Sequence, residues 1–155
     1  MVTPAATLGV RAAALADVAA LARLRRAALI ELGLLAPAGA DAFERDAARS
    51  FGALFAQDRI ASRLLVCDGE VAGCASALFW ERLPYPRTSL HAELAGVYVA
   101  PAYRRAGFAR LLCAATLEAA RARGARRIFV HPSAAGRALY RGLGFSEGNQ
   151  MVLRP

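Results

Sequence analysis

The sequence predicts an α/β domain built on one mixed, mostly antiparallel sheet of about six to seven strands, flanked by about four helices. Three observations carry this. Apolar stretches of period two alternate along the chain with Ala- and Leu-rich stretches of helical period. A two-residue hairpin signal, Asp68-Gly69, precedes the first strand–helix–strand unit, so antiparallel and parallel neighbours must share a sheet. The chain has 155 residues, 57 % of them hydrophobic, which is enough for one sizeable core and too little for two. The domain is expected over residues 8–155. With 21 % charged residues, 13 Gly and 7 Pro, disordered and collagen-like readings are excluded.

The elements follow in order. Thr7 to Val10 is a short strand. Ala14 to Leu32 is a helix, with Leu15, Val18, Leu21, Leu24 and Leu29 near helical spacing, and Gly33 and Pro37 close it. Phe43 to Gln57 repeats the pattern through Phe43, Ala47, Phe51, Leu54 and Phe55. Arg63 to Cys67 and Val71 to Phe79 are strands around the hairpin turn. Leu83 to Arg87 is an extended loop because two prolines forbid helix and central strand, and Trp80, Glu81, Arg82 and Tyr85 are grouped with that loop. His91 to Val99 is a strand ending at Ala100-Pro101. Arg105 to Arg123 is a long helix with Phe108, Leu111, Leu112, Ala115 and Ala119 on one face, stopped by Gly124. Arg127 to Val130 is a buried strand, and Ser133 to Gly142 a helix with Ser133 as its N-cap. Gly144-Phe145 starts a return strand, and Met151 to Leu153 adds an edge strand.

All 20 basic residues are arginine. Residues 1–99 hold 10 of them against 10 acids, whereas residues 100–155 hold 10 against only Glu118 and Glu147, so the net charge of +8 lies in the C-terminal third. A one-sided field suits a polyanion, either nucleic acid or a phosphorylated cofactor; a solvated arginine face is the plain alternative. Three cysteines without disulfide spacing favour a reducing, cytoplasmic setting. The N-terminus shows no signal-peptide pattern. The longest uncharged apolar run, about Val71 to Trp80, is half of the roughly 20 residues a membrane helix needs. No Cys-x-x-Cys or His-Glu-x-x-His spacing suggests a metal.

The most informative stretch is Val97-Tyr98-Val99-Ala100-Pro101-Ala102-Tyr103-Arg104-Arg105-Ala106-Gly107-Phe108-Ala109-Arg110. A β-branched strand runs into a turn with two arginines, a glycine and a small residue, then opens a long helix. Helix N-termini expose unpaired N–H groups and the positive end of the dipole, so they attract phosphate. Gly107 lets backbone approach an anion closely. The pattern is neither a Walker A loop nor a dinucleotide fingerprint.

Here the sequence resembles the GCN5-related N-acetyltransferase (GNAT) family, whose acetyl-CoA signature Arg/Gln-x-x-Gly-x-Gly/Ala reads Arg104-x-x-Gly107-x-Ala109. A second signature stands as Leu139-Tyr140-Arg141-Gly142-Leu143-Gly144-Phe145. The resemblance covers roughly residues 8–153. It implies direct acetyl transfer from acetyl-CoA to a primary amine in a ternary complex, with no metal. It also implies that Val97, Tyr98, Val99, Arg104, Arg105, Ala106, Gly107, Phe108, Ala109, Arg110, Ser133 and Tyr140 contact the cofactor. In that family's motif the tyrosine at Tyr140 protonates the departing sulfur. Ala92-Glu93-Leu94-Ala95 resembles the strand of the histone-acetyltransferase branch, where the Glu is general base. His131, after the last predicted inner strand, is either a hydrogen-bonded core residue or part of the site. The acceptor is not legible, and a homodimer is compatible with this reading. The alternatives are a catalytically silent acyl-CoA-binding regulatory domain and, less favoured, a basic nucleic-acid-binding module.

Overall fold

The structure, a computed structural model, describes residues 7–84 and 86–153. Five strands form one sheet in the order of the sequence. They are β1 (Leu8–Ala12), β2 (Ile60–Cys67), β3 (Glu70–Arg82), β4 (Ser89–Val99) and β5 (Arg127–Val130). The first four are antiparallel neighbours, and β5 joins β4 in parallel. That parallel join demands a crossover, supplied by α3 (Phe108–Ala122). The other helices are α1 (Val18–Glu31), α2 (Ala40–Ala56) and α4 (Arg137–Gly142).

The hairpin forms as its turn chemistry dictates. Asp68 and Gly69 both take positive φ, 49° and 83°, as a primed two-residue turn requires. Cys67 therefore faces Glu70 across the ladder and not Cys74, and all three cysteines are free.

Alternation along β3 and β4 divides the molecule into two layers. Ala75, Ala77, Phe79, Ala92 and Leu94 face α3, where Leu112, Cys113 and Leu117 complete a core with β2's Leu65. The opposite face carries Leu64 and Cys74 under Leu21 and Leu24 of α1. The buried face of α3 runs through Leu112, Cys113, Thr116, Leu117 and Ala120, one position off the predicted stripe, and Leu111 is half exposed. Alanines on every side of this helix leave its phase ambiguous in sequence. Thr116 settles it by donating to the Leu112 carbonyl at 2.8 Å and reaching the Ala75 carbonyl of the sheet at 3.3 Å.

Several expectations are corrected. The described residues hold five strands, not six to seven. Gly144-Phe145 is not a strand but the stop of α4. Gly144 takes φ 94°, Phe145 N–H returns to the Tyr140 carbonyl at 3.0 Å, and the two rings meet edge-on at 6.0 Å. This is a Schellman-type ending with its apolar contact. Residues 151–153 carry exposed side chains and no ladder. The helix expected from Ser133 begins at Arg137, and the one expected from Arg105 begins at Phe108. Trp80, Glu81 and Arg82 belong to β3 rather than a loop, because they pair with His91, Leu90 and Ser89. Tyr85, Arg154 and Pro155 lie outside the described residues.

Candidate active site

The site is built on an irregularity of β4. Cys74 lies opposite Tyr98 and Ser76 opposite Ala95, so β4 uses one residue more than β3 and bulges there. Gly96 supplies the positive φ of 62° that the bulge needs. Pairing between β4 and β5 runs only from His91–Arg127 to Leu94–Val130. Beyond Leu94 the two strands part, and a cavity of about 750 Å³ opens between them.

The turn before α3 forms one end of this cavity. Arg105 and Gly107 adopt φ of 65° and 82°, which folds the backbone back beneath the start of α3. Gly107 is the N-cap, and no side chain caps the helix. The first-turn amides are therefore left for an external acceptor. Tyr140, Leu139, Ser133, Gly136, Val130 and His131 line the other end.

Of the cofactor residues expected from sequence, all but Ala106 line this cavity. The arginines are not equivalent. Arg104 is clamped by Glu31 at the end of α1 through two hydrogen bonds of 2.6 and 2.7 Å. Its Nε donates to the Val99 carbonyl at 2.8 Å, and its guanidinium lies over the Tyr98 ring. Arg104 thus ties α1 to the bulged strand, and it holds the Glu31 carboxyl below the usual carboxylate range. Arg110 donates to the Gly142 carbonyl at 2.8 Å and links α3 to α4. Arg105 stays exposed at the turn.

Tyr140 sits on α4 with its ring against the core and its edge in the cavity. Burial first, and Cys113 second, push its phenol above the ordinary value, so it holds its proton at neutral pH. Gly136 sets the ring's place, because a Cβ there would stand 2.9 Å from Tyr140 Cε2. Ser133 Oγ accepts from the Gly136 amide at 3.2 Å and shapes the turn before α4 rather than capping the helix itself.

Glu93 is not part of the cavity lining, although its neighbour Leu94 is. Its carboxylate meets His131 Nδ1 at 3.0 Å, and His131 does line the cavity. The side chain of His131 is 66 % exposed, which rules out the core reading. His91 is the core histidine. It is buried against Trp80 and Phe129, and Ser89 Oγ lies 3.1 Å from its Nε2. Burial, then Arg82 and Arg127, lower its pKa.

A second cavity, about 340 Å³, opens between α1, α2 and the sheet. It shares Arg25, Ala28, Ala95, Gly96 and Tyr98 with the first, so the two meet at the bulge. Among the described residues no cluster of His, Cys, Asp and Glu could hold a metal, and no helix is long and apolar enough to cross a membrane.

The open β4–β5 fork thus forms an extended groove with an uncapped helix N-terminus, suited to an anionic group, at one end. The sequence matches the model of the Acetyltransferase (GNAT) family over residues 21–145. The chain belongs to that family. No curated protein sequence matches it significantly. Its fold is similar to that of a predicted acetyltransferase with acetyl-CoA from Clostridium acetobutylicum, with a TM-score of 0.85, 20 % identity and 96 % of each chain covered. It is also similar to a GCN5-related N-acetyltransferase from Ralstonia eutropha JMP134, with a TM-score of 0.81, 19 % identity, and 96 % of this chain and 99 % of that one covered. A third similar structure is an aminoglycoside N-acetyltransferase in complex with CoA, with a TM-score of 0.73, 21 % identity, and 100 % of this chain and 98 % of that one covered.

Proposed function

We propose that this protein transfers an acetyl group from acetyl-CoA to an amine by direct attack in a ternary complex. The observation that carries the reading is one continuous cavity. It runs from the uncapped N-terminus of α3, along the unpaired edge of β4, to Tyr140, and it meets a second cavity at Gly96. Two of the similar structures contain acetyl-CoA or CoA, which supports the same cofactor here.

When bound, acetyl-CoA supplies a thioester whose carbonyl an amine can attack. The residues divide the remaining work. The amides of Phe108, Ala109 and Arg110, with the Arg105 guanidinium beside them, hold the pyrophosphate. The free edge of β4 from Ala95 to Val99 fixes the extended arm of the cofactor by backbone hydrogen bonds. Tyr140 gives its proton to the departing sulfur. Proton removal from the ammonium falls to His131. With the Glu93 carboxylate accepting from Nδ1–H, Nε2 keeps its lone pair. Glu93 is then the residue that orients and polarises His131, not the base itself.

Calorimetric titration with acetyl-CoA, followed by thiol release with a panel of amines, tests the proposal. Binding with amine-dependent release supports it. Binding without release for any amine points to a silent acyl-CoA-binding domain, and absence of binding overturns the reading.

A further inference from the structure

The second cavity differs from the first in chemistry. Its wall is made chiefly by Phe43, Phe51 and Leu54 of α2, Leu21 of α1 and Leu78 of β3. The apolar face of α2 is only partly closed onto the core: Phe51 and Phe55 pack against the cluster of Leu21, Leu24 and Leu64, but Ala40 alone is fully buried. The polar groups at the wall are mostly satisfied from within. Ser76 is buried and hydrogen-bonded to Ser62 at 2.6 Å. Ser50 donates to the Asp46 carbonyl at 3.0 Å, and the Asp46 carboxylate is paired with Arg49. The one acid at this wall is thus exposed and shared with an arginine of its own helix. Arg25 is different. It is exposed and stands where the two cavities meet, and no ion pair within the described residues engages it.

Resting on the acetyl-transfer reading, we propose that the acceptor is a small α-amino acid with an apolar side chain of the Leu or Phe kind. The side chain enters the cavity between α1 and α2, the carboxylate pairs with Arg25, and the amine lies at the Gly96 bulge facing the thioester. A volume of about 340 Å³ is roughly ten water-sized groups and falls at the small end of ligand pockets, which suits such a molecule. A polyamine or aminoglycoside fits less well, because its several ammonium groups would meet a mainly apolar wall that carries Arg25 and only one carboxylate, Asp46.

In the transfer, the amine nitrogen forms the new bond to the acetyl carbon as the carbon–sulfur bond breaks. One ammonium proton leaves through His131 before attack; Tyr140 gives its proton to the departing thiolate, and the second nitrogen proton, lost as the tetrahedral adduct collapses to the amide, returns to the Tyr140 phenolate. The test compares L-phenylalanine, its carboxamide, spermidine and kanamycin as acceptors, read as kcat/KM by thiol release in wild type and in Arg25→Gln. The expected result is phenylalanine above its amide by about tenfold or more, both above the polycations, and collapse of the acid-over-amide preference in Arg25→Gln. A larger residue at the middle of the wall, Ala47→Phe, should raise KM for phenylalanine and leave acetyl-CoA affinity measured by calorimetry unaltered. Preference for a polycation, or an acid-to-amide ratio that Arg25→Gln does not move, overturns the acceptor assignment. Acetyl-CoA binding with no turnover of either phenylalanine compound overturns it too, while leaving the cofactor assignment standing; loss of acetyl-CoA binding would remove both.

Discussion

At Tyr140 the proposed proton donor rests on a sequence motif and on the surroundings of its phenol. The motif marks the position; in the structure burial, then Cys113, raise the phenol, and the absence of a Cβ at Gly136 leaves room for its ring. Tyr140→Phe should lower kcat by roughly 10²-fold with little change in acetyl-CoA affinity, because only a proton donor used as the thiolate leaves is removed. Wild-type kcat with chemistry rate-limiting would make Tyr140 a core aromatic only. The Glu93–His131 pair was half legible. Glu93 could be picked out from its strand, but its partner lies 38 residues away and reaches it only because β5 joins β4 in parallel. If Glu93 acts through His131, Glu93→Gln and His131→Gln should each lose rate at neutral pH, most of it regained at high pH where the amine is already free. The double variant should be no slower than the worse single one. A full loss in Glu93→Gln beside an active His131→Gln would return the base role to Glu93.

Among the elements, the turn into α3 was the most readable, since its chemistry is local. A helix start needs unpaired amides, and a tight anion cradle needs glycine; both are written in six consecutive residues. The bulge in β4 is signalled only weakly, by one glycine inside a strand pattern, and its consequence depends on where β5 stops pairing. The return strand expected at Gly144-Phe145 was misread for a definite reason. Leu-Gly-Phe after a helix fits a strand start by composition, yet Gly144 at φ 94° closes α4 and turns Phe145 onto Tyr140. Gly107 allows a direct test of the turn. At φ 82° an alanine costs about 1–2 kcal/mol of backbone strain, so Gly107→Ala should lower Tm while retaining most acetyl-CoA affinity. Gly107→Glu adds a carboxylate at the same place and should weaken binding by more than tenfold. Equal affinities for the two variants, measured by calorimetry, would show that no phosphate lies there.

On the scale of the whole molecule, the positive charge predicted for the C-terminal third is there, but much of it is locally engaged. Glu147 pairs with Arg137 and Arg141, Glu31 with Arg104, and Asp58 with Arg123. Sequence counts charge and cannot see pairing, which is why charge alone left a solvated arginine face as open as a polyanion site. These pairs set how the fold responds to acid. Asp17 accepts from Arg11 at 2.7 and 2.8 Å and from the Ala14 amide at 2.8 Å, and Arg11 chiefly, then the Ala14 amide, bring its carboxyl down from 3.8 to about 2. A carboxylate lowered in the fold stabilises it above the unfolded value, and that contribution is lost as pH falls through the folded value. For Asp17 the window runs from just below pH 4 to about 2. The contribution is about 1 kcal/mol, the full shift being reduced by solvent around a half-exposed arginine. His91 acts higher on the scale. Its pKa is lowered in the fold from 6.5, so the unfolded chain binds its proton first and stability declines as pH drops below 6.5. Urea denaturation followed across pH should therefore show a first decline below about 6.5 and a second below 4. His91→Gln should remove the first and keep the second, and Asp17→Asn should shrink the second to the part that Glu31 and Glu147, also lowered in the fold, contribute, while lowering the plateau at neutral pH. A His91→Gln curve that still falls in parallel with wild type between pH 6.5 and 5 would show that the buried imidazole is not the group that titrates there.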